Sequence, residues 1–138
     1  MSIDGMLTAV LLPALWISAG GCSGTEASTR LTGSWGAEHI GIVVSENGAK
    51  LEYDCAHGSI DEPLIVEENG EFEAVGVHVR EHGGPIRLGE IPDEHPAHYK
   101  GYVKGNKMTL TVTLIDSEQK IGTFSLTRGA PPRVHKCL

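Results

Sequence analysis

The side chains here that could do chemistry are mostly imidazoles: the 138-residue chain carries seven histidines, concentrated at His39, His57, His78, His82, His95 and His98. Imidazole ligates transition metals and exchanges protons near neutral pH. On one strand His78 and His82 share a face with Arg80 between them, about 13 to 14 Å apart by the rise per residue. That is too far to share an ion. A zinc or copper site therefore needs histidines from neighbouring strands, such as His39 with His57 or His78. The competing reading of each histidine is a solvated surface side chain. Other chemistry is sparse. The sequence has no Gly-x-Ser-x-Gly, no His-Glu-x-x-His, no phosphate-binding glycine loop and no Cys-x-x-Cys, and no pair of its many carboxylates is marked by spacing. No catalytic residue and no cofactor is assigned.

Residues 6 to 19 form the one long apolar run, shorter than the span of about 20 residues that crosses a bilayer and interrupted by Pro13. It reads as the hydrophobic part of a signal peptide over residues 1 to 21. The run ends in Ala19-Gly20-Gly21-Cys22, which resembles the lipobox at which bacterial lipoproteins are cleaved and acylated. The resemblance implies a lipid on Cys22, residues 22 to 32 as a flexible tether, and a protein held at the cell envelope by its membrane anchor. The alternative is a soluble secreted or periplasmic protein cleaved near Ala27. With Cys22 given to lipid, Cys55 and Cys137 remain as a pair in an oxidising compartment and are expected to be bonded, against the alternative of two buried free thiols.

Removal of the signal leaves roughly 117 residues, enough for one hydrophobic core, so residues 33 to 138 are expected to form one domain. Eighteen glycines with only 5% aromatic residues favour short elements joined by turns. Turn signals at Glu46-Asn47-Gly48, Glu68-Asn69-Gly70, Lys104-Gly105-Asn106 and Asp116-Ser117-Glu118 separate apolar-alternating runs. Strands are predicted at 38 to 44, 49 to 57, 63 to 67, 70 to 81, 97 to 104, 107 to 115 and 119 to 128, with a short one at 133 to 137. Alternation is cleanest at Met108, Leu110, Val112 and Leu114. The same pattern at Leu51, Tyr53 and Cys55 points Cys55 inward. In residues 71 to 81 the apolar parity flips, and Gly76 is the expected bulge. Residues 83 to 97 have no period and three prolines, which predicts a long loop.

Seven or eight sequential antiparallel strands predict an all-β fold, an up-and-down barrel that removes exposed edges, with a two-sheet sandwich as the alternative. Gly33-Ser34-Trp35 at the start of the first strand resembles the Gly-x-Trp signature of lipocalins and related calycin barrels. That resemblance implies that Arg128, on the last long strand, stacks on the Trp35 indole and helps close the barrel floor. Tyr53-Asp54-Cys55-Ala56-His57-Gly58 with Cys137 is similar to the cysteine framework of the membrane-bound lysozyme inhibitors. Their inhibitory Ser-Gly loop has no clear counterpart, because Pro96-Ala97-His98 precedes Tyr99.

Charge divides the chain: residues 38 to 94 hold 14 acidic and 3 basic side chains, a net of −11, and residues 95 to 138 hold 2 acidic and 7 basic, a net of +5. The overall charge of −7 disfavours nucleic acid. Sequence alone therefore points to a non-catalytic binding or inhibitor module of the envelope with a cationic protein partner, its densest acid run being Glu67, Glu68, Glu71 and Glu73. A metal-binding or histidine-assisted enzyme using His39, His57, His78 and His82 is the second reading, and a carrier of a small apolar ligand the third.

Overall fold

A computed structural model of the protein describes Gly5 and residues 28–137. All of its regular elements are strands: β1 (Thr29–Arg30), β2 (Gly33–Ala37), β3 (Ile40–Ser45), β4 (Gly48–Tyr53), β5 (Ala56–Ile60), β6 (Ile65–Val66), β7 (Glu71–Arg80), β8 (Asp93–Lys104), β9 (Lys107–Leu114) and β10 (Lys120–Arg128). Eight of them close into an antiparallel barrel in the order β10-β2-β3-β4-β5-β7-β8-β9, while β1 and β6 pair separately. Pairing of β10 with β2 completes the ring and rules out the sandwich.

The barrel forms because each strand buries alternate side chains. In β9, Met108, Leu110, Val112 and Leu114 are buried; they meet Ile40, Ile42, Val44, Leu51, Phe72, Tyr99 and Leu126 in one core. One end of the barrel is a floor. There Leu31 and Leu64 are buried beside Trp35, and the Leu31 amide donates to the Leu64 carbonyl at 2.8 Å. The opposite end is a mouth, formed by the turns at 38–39, 54–55 and 115–119 and by the segment 81–92 that joins β7 to β8.

Several local expectations change. The run 49 to 57 is two strands, because Cys55 takes a left-handed φ of 51° and turns the chain between β4 and β5. Cys55 therefore sits in the mouth turn, half-buried, and does not point into the core. No bulge occurs at Gly76: β7 runs in unbroken register with β8 from Glu71↔Tyr102 to Arg80↔Asp93. Parity holds, so His78 faces inward and Val75 lies exposed. Gly76 is glycine because a Cβ there would collide with the Ser59 carbonyl of β5. Strand β8 begins at Asp93, so the predicted loop 83–97 is shorter by its last five residues. Pro96 is tolerated because it stands just before the β9 ladder, which starts at Ala97, and its carbonyl still accepts the Ile115 amide at 2.8 Å, so only the N–H that proline lacks is missing from the pairing. Ordered structure also begins ahead of Gly33, with β1 on β6.

Residues 133–137 form no strand beyond a parallel bridge between Glu38 and Arg133. They belong to a strap that leaves β10 at the floor and climbs the outside of β2 to the mouth. Gly129 donates to the Ser34 carbonyl at 2.8 Å, Arg133 to that of Ala37 at 3.1 Å, and His39 donates to the Arg133 carbonyl at 2.8 Å. The track exists because Gly36 and Gly41 are partners on β2 and β3. Side chains at either would collide with the Ala130 carbonyl or the Pro132 ring. The strap ends in the Cys55–Cys137 disulfide, with Cα atoms 4.9 Å apart.

Candidate functional site at the barrel mouth

Turns and strand ends carry His39, His57, His82 and His95 to the mouth, each beside a carboxylate. His39, held at a left-handed φ of 71° in the β2–β3 turn, pairs through Nδ1 with Asp54. The other Asp54 oxygen accepts the His135 amide at 2.7 Å. That backbone bond, followed by His39, holds the Asp54 carboxyl below its ordinary range. His57 Nδ1 lies 3.5 Å from Glu81, whose carboxylate takes a 2.8 Å bond from Lys136 and is lowered chiefly by it. His82 contacts the Gly83 carbonyl at 2.9 Å and pairs with Glu90; the carbonyl first and the carboxylate second raise its pKa. His95 is flanked by Asp116 at 2.7 Å and Asp93 at 2.8 Å, and both raise it.

His78 differs from these. Its side chain is inside the barrel with 3% exposure, and its Nδ1 has no hydrogen-bond partner among the described residues. Burial first, and the Arg80 charge second, lower its pKa, so it is neutral at neutral pH. Tyr53 packs edge-on against it, ring centroids 4.9 Å apart, and the buried Tyr53 hydroxyl is likewise unpartnered. Burial raises the Tyr53 phenol far above its ordinary value, with the neighbouring Tyr99 adding to the effect. Tyr99 donates to the Val77 carbonyl at 2.6 Å, and burial pushes its phenol up to about 12. A cavity of about 350 Å³ opens above these groups, walled by Tyr53, His78, Ile121 and Phe124 and rimmed by Asp54 and Arg80.

The four histidines considered as metal ligands do not converge. His39, His57 and His82 have separate carboxylate neighbours and His78 is enclosed. Among the described residues no group of three or more His, Cys, Asp or Glu side chains is arranged to hold a metal ion. Cys22 lies outside the described residues. At the floor Arg128 does lie over the Trp35 ring. The acid run is exposed and away from the mouth: Glu67 and Glu68 lie in the turn before β7, and Glu71 and Glu73 on its outer face. Glu73 is 3.7 Å from Lys100, whereas Glu67, Glu68 and Glu71 form no ion pair among the described residues.

Sequence reading passed over the apolar content of the mouth segment. Within 81–92, Ile86 is 85% exposed, Ile91 88% and Leu88 fully exposed. The segment is tied by mutual bonds between Arg87 and Glu90, at 3.1 Å each. Its signal was three large aliphatics in a run too aperiodic for a strand. No family model, curated protein or solved structure matches the chain.

Proposed function

We propose that the protein is a lipid-anchored, non-catalytic binding module of the bacterial envelope that takes a cationic protein partner at its mouth. The observation that carries this reading is the exposure of Ile86, Leu88 and Ile91 on one tied segment. Exposed aliphatics grouped at one end of a small domain are characteristic of a recognition surface. Glu81, Glu90, Asp93 and Glu94 line one cavity with Ile86 and Ile91; Glu81, Glu90 and Asp93 are already paired with Lys136, His82 and His95, so the attraction of a basic partner rests on Glu94 and on exchange of these pairs. Chain direction fits too. The segment that would lead from Cys22 enters at the floor through β1, so an anchored barrel presents its mouth away from its own membrane. The Trp35 and Arg128 stack supports a calycin-like reading of the barrel.

The test measures binding to a panel of cationic proteins, a lysozyme among them, at low and high salt. Combined Ile86→Ser, Leu88→Ser and Ile91→Ser should weaken binding at least tenfold. Glu67, Glu68, Glu71 and Glu73 changed together to Gln should only reduce the salt dependence. Absence of binding to every member of the panel, or a loss that follows the glutamine substitutions and spares the serine ones, overturns the proposal.

A further inference from the structure

Two polar atoms inside the barrel, Tyr53 Oη and His78 Nδ1, lack a partner among the described residues, and both residues wall the mouth cavity. The Tyr99 hydroxyl beside Tyr53 gives its own hydrogen to the Val77 carbonyl and so offers the phenol oxygen no donor; buried polar atoms left in this way are costly and point to a partner that arrives from outside. Their rings meet edge-on with centroids 4.9 Å apart, so the two residues stand together on one side of the cavity. Below them the barrel is filled by Leu51, Tyr99 and Leu110, each buried, and no long apolar cargo fits under that layer. We propose that the mouth cavity is a binding site for a small uncharged ring compound with a hydrogen-bonding edge, a phenol or an aromatic amide, held by Tyr53 and His78. The site is separate from the surface of Ile86, Leu88 and Ile91, and stands or falls apart from it.

The choice of ligand class follows from the walls. Phe124 lies 5.9 Å from Tyr53, centroid to centroid, so Tyr53, His78 and Phe124 offer ring faces and edges to a planar guest. Both unpaired groups are neutral at neutral pH: burial keeps the phenol protonated and the imidazole uncharged. A charged guest would lose its hydration against these walls without a counter-ion at depth. The charged groups stand at the rim, where Arg80 is already bonded to Gln119 at 2.8 Å and Asp54 to His39 and His135.

The experiment titrates the full chain with phenol and benzamide, and with benzoate and benzylamine as charged controls, following by NMR the ring resonances of Phe124, which lines the cavity and is kept in every variant. Saturable binding of the neutral probes is expected, at least tenfold tighter than either control. Tyr53→Phe and His78→Leu should each weaken it tenfold or more while the thermal melt reports a folded barrel. The serine substitutions at Ile86, Leu88 and Ile91 should leave it unchanged. Non-saturable shifts, equal affinity for charged and neutral probes, or undiminished binding in both folded variants overturns the assignment. So does a crystal structure grown with benzamide in which water alone bridges Tyr53 and His78.

Discussion

The Arg128 guanidinium carbon lies 4.6 Å from the centroid of the Trp35 ring, in space that exists because residue 33 has no side chain. A Cβ on Gly33 would stand 2.9 Å from an Arg128 guanidinium nitrogen, and Gly33 also holds a φ of 113° that other residues rarely adopt. Arg128 and Trp35 are register partners on the seam where β10 meets β2, which has only one other partnered pair, Thr127↔Gly36. A stacked cation reinforces the barrel where its ladder is shortest.

Trp35→Ala should therefore cost about 3 to 5 kcal/mol as a large core truncation, and Arg128→Ala about 0.5 to 2 kcal/mol. Denaturant unfolding of both single variants and the double variant measures the coupling between them. A Trp35→Ala loss below about 1 kcal/mol would place the indole outside the load of the core. A coupling indistinguishable from zero would reduce the stack to mere proximity.

Protonation should act on the fold in two opposite ways. His78 has a lowered pKa, so its contribution is full above the ordinary value of about 6.5 and is lost as pH falls towards the folded value. His82 and His95 are raised, so theirs is full below about 6.5 and is lost as pH rises through their folded values. Ring NMR should find His78 titrating below His95, and Asp116→Asn should move His95 downwards. Between about pH 7 and pH 5, His78→Leu should lose less stability than the wild type. The reverse order of titration would contradict the buried, unpartnered environment of His78.

Reduction of the disulfide should free the strap before it opens the ring. The bond closes a separation of 82 residues, worth about 4 kcal/mol on the chain-entropy account. Replacing both Cys55 and Cys137 with Ser should lower stability by roughly that amount. It should also speed hydrogen exchange at the His39 and Cys55 amides, which donate to the Arg133 and His135 carbonyls, while the Leu110 amide stays protected. Native exported protein should contain no alkylatable thiol at either position. Unchanged exchange at His39 would mean that the strap holds without its terminal bond.

Delivery is tested separately, because Cys22 lies outside the described residues. Labelled palmitate should enter the protein in a bacterial host and be absent from Cys22→Ala. Label surviving that substitution would overturn Cys22 as the site of acylation and with it the lipobox reading.

Strand alternation made the barrel legible. Met108 to Leu114 alternate so cleanly that burial follows residue by residue, and two of the three glycine turns, at Gly48 and Gly105, join the strands of hairpins, whereas Gly70 leads into β7, which pairs with β5 and β8. Cys55 was hidden because a non-glycine residue with positive φ leaves no turn signal in a sequence. The valines of β7 misled by hydrophobicity, since a strand with a polar histidine inside and valines outside inverts the usual pattern. That inversion brings His78 to Tyr53, and it follows from pairing with β5 and β8, which local periodicity does not contain. Glycines 36 and 41 read as weak strand residues until the strap that crosses them is in place.

The strap also sets an order of assembly. Arg128 must meet Trp35, and Cys137 must meet Cys55, so the contacts that close and lock the ring join residues far apart in the order of synthesis. Such distant pairings are slow to find. Until residue 128 is free of whatever makes or moves the chain, β2 to β9 form an open meander with an unpaired edge at β2 and the Trp35 indole uncovered, the kind of edge through which sheets associate. The arrival of β10 at β2 thus decides when the nascent chain ceases to be a sheet seeking a neighbour.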